Sequence, residues 1–268
     1  MSENFRLDPR EKAELDGRGF VVRRSVFDVT DLRVIRDACE ALVERILAEK
    51  RRTKHTVGSY MFEIQRHLET IVKWEPENPE LVQGLEPLAH LSGELNRWAL
   101  DARLVDPCKD VVGENDLALF TEKLNLKRAS RGGHIILHQD FPYWSDMTKI
   151  ASRVATAMLF LDDATIKNGC LEVVPGSHRE GLQPRRSIDG FGSLEMDPHQ
   201  YDHSRLLPLE VPAGSVAFFG LFLVHRSLPN RSDADRRALL YSYQPSGHPH
   251  LRELTKLAAS RESSATNS

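Results

Sequence analysis

From about Asp116 onwards the chain reads as short apolar runs, each closed by Gly, Pro or Asn, and this texture limits the fold more than any other feature of the sequence. The runs are 117–127, 134–138, 154–161, 171–174, 206–211, 216–224 and 238–243. Strand residues alternate between two faces, and several short strands joined by tight turns bury a common core as a sandwich or jelly roll. Asn168-Gly169 predicts a hairpin, Pro175-Gly176 closes the next run and Ala213-Gly214 precedes another. The expected class is mainly β with flanking helices.

Helices are expected ahead of the strands. Thr30 is placed to cap a helix that carries Leu32, Ile35, Cys39, Leu42 and Ile46 on one face. A second helix is expected over 79–100, where Leu81, Leu85, Leu88, Leu91 and Leu95 recur every three to four residues. Lys50, Arg51, Arg52 and Lys54 read as the solvated end of the first helix. The tail after Ala258 lacks large apolar residues and reads as disordered. The expected layout is one domain over 1–257, helical over about 1–112 with a β core over about 113–247, and a tail over 258–268.

Charge and hydropathy exclude several partners. Lys plus Arg number 36 against 39 Asp plus Glu, a net charge of −3, so nothing global draws the chain to nucleic acid or anionic lipid. The longest apolar run, 216–224, is half of the roughly 18 residues a membrane-spanning helix needs. Residues 1–17 alternate charges without an apolar stretch, which predicts a cytoplasmic protein. Cys39, Cys108 and Cys170 are too few and too scattered for a disulfide framework or a CxxC site and are expected as free thiols. A small-molecule partner is the remaining expectation; oligomeric state is not legible.

The sharpest local signal is His138-Gln139-Asp140, at the end of Ile135-Ile136-Leu137 and followed by Phe141-Pro142-Tyr143-Trp144. In a strand, residues i and i+2 share a face, so an imidazole and a carboxylate would project together, as in two-His, one-carboxylate iron sites. A surface turn would produce the same triplet. His225 ends the most apolar run, where a buried ring needs a partner that either a metal or a carbonyl supplies. Arg236 opens the final run with Ser227 ahead of it, and a guanidinium beside a hydroxyl suits a bound carboxylate.

Taken together, His138-Gln-Asp140, Asn168-Gly-Cys-Leu-Glu-Val-Val-Pro-Gly-Ser-His178 and His225-Arg-Ser-Leu-Pro-Asn-Arg-Ser232 with Arg236 resemble the phytanoyl-CoA dioxygenase family of iron(II)- and 2-oxoglutarate-dependent oxygenases. The resemblance runs from Asp16-Gly-Arg-Gly-Phe-Val-Val22 to about Ser246. It implies a double-stranded β-helix, a cupin-like jelly roll, with Fe(II) as cofactor and 2-oxoglutarate and O2 as cosubstrates. It makes His138, Asp140 and His225 the iron ligands, Arg236 the partner of the distal 2-oxoglutarate carboxylate and Ser227 a hydroxyl on that carboxylate. Asn125 and Lys127 fall where related enzymes line the cosubstrate site; the wet side of an edge strand is the alternative. Phe141, Tyr143 and Trp144 are candidate substrate walls or, equally, aromatic core.

Two departures stand out. Arg226 follows the distal His where the family usually has Gly, and it either points to solvent or meets an anionic substrate. Arg237 adjoins Arg236, and strand alternation lets only one of them face a pocket. The implied reaction is hydroxylation of an unactivated C–H bond of a small, partly apolar metabolite or biosynthetic intermediate, with release of succinate and CO2. The alternatives are desaturation, epimerisation or ring formation at the same site, or a non-catalytic cupin-like metal- and carboxylate-binding protein. Halogenation is disfavoured because related halogenases lack the carboxylate ligand, which Asp140 supplies here. The segment 184–205, rich in Gly and charge, reads as a long loop and a candidate lid.

Overall fold

A computed structural model describes residues 4–49, 53–57, 60–188, 191–197 and 201–254. Lys50, Arg51, Arg52 and the tail 258–268 lie outside these residues.

Helix α1 (Pro9–Arg18) is set by a capping box: Asp8 accepts from Arg10 N and Glu11 N, and the Glu11 carboxylate accepts from Asp8 N. Strand β1 (Phe20–Arg23) follows. Helix α2 (Val29–Ala48) is capped by Asp28, two residues before the expected Thr30; the carboxylate accepts from Thr30 N and Asp31 N, the stronger local acceptor taking the cap. Its expected stripe of Leu32, Ile35, Cys39, Leu42 and Ile46 is buried.

Beyond α2 the helical expectation fails. Strands β2 (His55–Val57), β3 (Tyr60–Gln65), β4 (Thr70–Glu75) and β5 (Asn78–Glu86) form an antiparallel meander. Pro79 and Gly84 disfavour a helix here. The leucines that mimic a helical stripe belong to three elements: Leu81 and Leu85 to β5, Leu88 and Leu91 to a single 3-10 turn, and Leu95 to the short α3 (Gly93–Trp98). Lys54 is not a solvated helix end either, since its Nζ donates to Pro79 O and lies 4.1 Å from the Trp74 ring. Helix α4 (Ala102–Val112) completes this part.

The later strands match the predicted runs closely: β6 (Leu117–Lys127), β7 (Ile135–His138), β8 (Ala155–Phe160), β9 (Leu171–Val173), β12 (Leu207–Pro208), β13 (Val216–Gly220), β14 (His225–Ser227) and β15 (Arg236–Pro245). The one-turn α5 (Phe141–Trp144) sits between β7 and β8. The expected loop 184–205 instead contains a hairpin, β10 (Arg185–Ile188) and β11 (Phe191–Met196), anchored where Met196 packs on Leu137, Val174 and Val224.

Among the described residues the large sheet has nine strands in the order β1-β13-β8-β15-β6-β5-β4-β3-β2, and a second sheet has the order β12-β9-β14-β7. All their pairings are antiparallel. One turn and one strand run depart from the sequence expectation. Asn168-Gly169 joins strands of different sheets, so it is a crossover and not a hairpin; Asn168 holds it by accepting from Thr165 N and donating to Asp163 O. Likewise the run 216–224 is not one strand: the chain leaves the large sheet at Gly220 and enters the small one at His225.

Alternation along the strands builds a three-layer molecule. Leu159, Phe218, Leu239 and Tyr241 face α2, α3 and α4 in one core, while Met158, Phe160, Phe219 and Leu240 face Leu171 and Val173 of the small sheet in another. Each such buried side chain contributes about 1.5–3 kcal/mol of transfer free energy. The strand β8 is buried along its whole length because both its faces are covered. The fold is the mainly β jelly roll with helices packed outside. No helix among the described residues is long and apolar enough to cross a membrane.

Candidate active site

The site lies between the two sheets. His225 of β14 is the direct cross-strand partner of His138 of β7, and their ring centroids are 4.1 Å apart. Asp140 follows just outside β7, in helical conformation at the start of α5, so a turn and not strand alternation brings it beside His138. Gln139 is engaged elsewhere. It fixes the turn by donating to Gly181 O and Phe222 O and accepting from Gln183 N.

His138 Nε2 is 3.6 Å from Asp140 Oδ1, and His225 Nε2 is 4.0 Å from Asp140 Oδ2. All three residues are buried and their ligand atoms lie within 4.8 Å of one another. Donors about 2.1 Å from one ion stand about 3–4 Å apart, so the set fits a metal after small adjustment. The opposite ring nitrogens are already committed: His138 Nδ1 donates to Ile136 O at 2.7 Å and His225 Nδ1 to Leu223 O at 3.0 Å. A carbonyl can only accept, so in the neutral rings both Nε2 lone pairs face the site. Burial, then the neighbouring His138, push His225 down to about 4, which keeps it neutral at physiological pH. Burial alone would raise the Asp140 carboxyl, but the adjoining His138, with His225 and Lys123, holds it well below the usual carboxylate range.

Arg236 opens β15 and is only 1% exposed, yet its Nη2 alone has a hydrogen-bond partner, Gly169 O at 2.7 Å. Its Nε and Nη1, and Ser227 Oγ, are buried without partners among the described residues. Burial lowers Arg236 to about 10, so it stays cationic at neutral pH. Leaving such donors unmade costs about 1–3 kcal/mol each, a cost a bound carboxylate would remove. Gly169 has to be glycine: it has a φ of 72°, and a Cβ would lie 2.0 Å from Leu228 O. Arg237 faces the helical layer, where it pairs with Asp162 and Glu40, so the pocket-facing arginine is Arg236.

The other expected residues divide. Asn125, Tyr143 and Trp144 line the pocket; the Tyr143 ring lies 5.7 Å from that of His138, and the Tyr143 hydroxyl meets the Tyr60 hydroxyl at 2.8 Å. Phe141 does not line it: it stacks on Phe222 at 4.5 Å, in the cluster with Phe120 and Leu221. Lys127 is likewise outside the lining. It is buried on a strand with neighbours on both sides, not on a wet edge, and its Nζ donates to Gly133 O and Leu228 O. Arg226 lines the pocket as well, with its Nε donating to Glu172 Oε2 at 2.6 Å and its Nη1 to His203 Nδ1 at 2.9 Å.

Sequence reasoning missed a whole wall. The meander contributes Tyr60, Lys73, Gln83 and Glu86, with Lys123 beside them on β6. The alternation in Thr70-Ile-Val-Lys-Trp-Glu75, with Pro76 and Glu77 before β5, was the available signal.

The chain is similar to a phytanoyl-CoA dioxygenase of Arabidopsis thaliana, 24% identical over 251 residues and 87% of each chain. A match to phytanoyl-CoA dioxygenase 1 of Oryza sativa subsp. japonica is 35% identical over 120 residues; it spans 42% of this chain and 40% of that protein. The fold resembles that of EctD from S. alaskensis, solved with 2-oxoglutarate and 5-hydroxyectoine, with a TM-score of 0.68 and 21% identity over 91% of this chain and 78% of that one. The model of the family phytanoyl-CoA dioxygenase (PhyH) matches residues 15–238. The chain therefore belongs to the phytanoyl-CoA dioxygenase family.

Proposed function

We propose that the protein is an iron(II)- and 2-oxoglutarate-dependent dioxygenase that hydroxylates an unactivated C–H bond of a small, partly apolar metabolite or biosynthetic intermediate. The observation that carries this reading is the pairing of two donor sets in one pocket: three convergent ligand atoms, and the buried Arg236 and Ser227 donors that lack partners. A metal site alone would also suit zinc hydrolysis; the carboxylate-shaped cradle beside it favours a 2-oxo acid.

His138, Asp140 and His225 would hold iron on one face. Iron loaded with 2-oxoglutarate supplies the O2-activating, oxidising chemistry, with succinate and CO2 as coproducts. Arg236 and Ser227 would take the distal carboxylate, and Asn125 stands next to them on the same wall. Lys127 supports that end indirectly, by fixing Leu228 in the segment between His225 and Arg236. Tyr143 and Trp144 would exclude water around the substrate. A pure binder has no use for a metal face left open, and Asp140 argues for hydroxylation over halogenation.

Anaerobic titration of the metal-free chain with Fe(II) and then 2-oxoglutarate tests the reading. A visible charge-transfer band is expected, followed by succinate release once a substrate and O2 are supplied. Bound iron without a band would mean that the 2-oxo acid does not chelate, and the oxygenase reading would give way to a metal-binding cupin.

A further inference from the structure

On the pocket face of the large sheet, Arg236 stands opposite Lys127, and four residues along the same strands Leu240 stands opposite Lys123. At about 3.3 Å per residue these positions are about 13 Å apart. The Arg236 end belongs to the cosubstrate in the oxygenase reading. At the other end, Glu86 Oε2 lies 3.3 Å from Lys123 Nζ and 3.8 Å from Lys73 Nζ, and Glu86 Oε1 accepts from Thr121 Oγ1. Two ammonium groups thus share one carboxylate in a corner whose side chains are only 10–27% exposed.

Of the other carboxylates around the pocket, Asp140 also reaches both lysines electrostatically. Asp140 is committed to the metal in that reading, and Glu172 to Arg226. Lys123 is the better matched of the two: burial alone would lower it, but Glu86 and Asp140 raise it above its ordinary value. Burial and the charge of Lys123 push Lys73 down to about 8. Between this corner and the ligands stand two aromatic walls, Trp144 with its ring 5.5 Å from Lys123 Nζ and Tyr143 against His138.

Resting on the oxygenase reading, we propose that the substrate carries an oxyanion head, a carboxylate or a phosphonate, seated on Lys73 and Lys123 beside Tyr60. A short apolar body then passes Trp144 and Tyr143 and presents its carbon to the metal face. The meander β2–β5 is thereby the specificity element of this chain.

The test uses the full chain, held anaerobically with Fe(II) and saturating 2-oxoglutarate so that Arg236 is taken. Butyrate, propylphosphonate and the neutral butyramide are titrated by calorimetry while the visible band is followed. Both acids are expected to bind about tenfold or more tightly than the amide, since a charge-assisted hydrogen bond is worth about 1.5–3 kcal/mol. Lys73→Met is expected to weaken both acids about tenfold with the amide unchanged, and Lys73→Arg to restore them. The tighter of the two acids names the head group. Equal binding of acid and amide by the wild type overturns the proposal without any variant. So does equal weakening of acid and amide in Lys73→Met, or release of the acids by excess 2-oxoglutarate. Absence of the 2-oxoglutarate band at the outset is a different failure: it removes the oxygenase reading itself, and this proposal with it.

Discussion

Arg236 and Arg237 are adjacent in sequence and opposite in role. Arg236→Leu is expected to raise the 2-oxoglutarate concentration needed for half-formation of the charge-transfer band by about a hundredfold, the loss of two charge-assisted hydrogen bonds. Arg237→Leu is expected to leave that concentration unchanged and to lower stability by about 1 kcal/mol in urea denaturation, because Asp162 and Glu40 each lose one of two arginine partners, Arg36 and Arg128 remaining. Equal effects on cosubstrate binding would refute the assignment. Alternation along the strand already required one of the pair to face inward, and the resemblance pointed to Arg236; the ion pairs of Arg237 with Asp162 and Glu40 turn that residue the other way. The buried Lys127 makes a pH prediction. Burial, then the charge of Arg236, depress it to about 7, against an unfolded value near about 10.4. Between these values the unfolded chain binds more protons than the folded one, so stability rises with pH. The metal-free chain should therefore gain stability from pH 7 to about 8, before the thiols titrate, by at most about 1.4 kcal/mol per pH unit from this group. Lys127→Met should flatten that rise, and a wild-type profile already flat would contradict the depressed value.

At the scale of elements, what could be read from the sequence depended on whether the signal was local. His138-Gln-Asp140, Ser227 and Arg236 sit in segments whose own pattern of apolar runs and turns marks them, and the strands β6 and β15 were legible for the same reason. The direct pairing of His225 with His138 was not legible, because it depends on the chain changing sheets after Gly220. The meander was lost to a coincidence of leucine spacing across a strand, a 3-10 turn and a short helix. Its seam with the core is testable at Gly84, where a Cβ would lie 2.9 Å from Leu124 O on β6. Gly84→Ala should cost about 1–3 kcal/mol in urea denaturation, as overpacking typically does. The variant should still form the iron and 2-oxoglutarate band, since no ligand lies on β5. Loss of the band at full stability would show that the meander and the metal centre are not separate.

Across the whole molecule, helices cover one face of the large sheet and the small sheet covers the other, which seals all three cysteines. Burial pushes Cys39 up to about 12 and Cys170 to about 11, and raises Cys108 further. The native chain should therefore be inert to a thiol reagent at pH 8 and release three equivalents on unfolding; fast modification of any one would mean that the layers part readily. The layers also divide the labour of the pocket. In the oxygenase reading the iron ligands belong to the small sheet and its following turn and the cosubstrate arginine to the middle of the large sheet, while the lysine corner joins Lys123 of that same middle to Lys73 of the outlying meander. Such a division bears on descent. On the proposed reading, replacements in the meander would exchange one substrate for another while the oxidising centre is inherited intact.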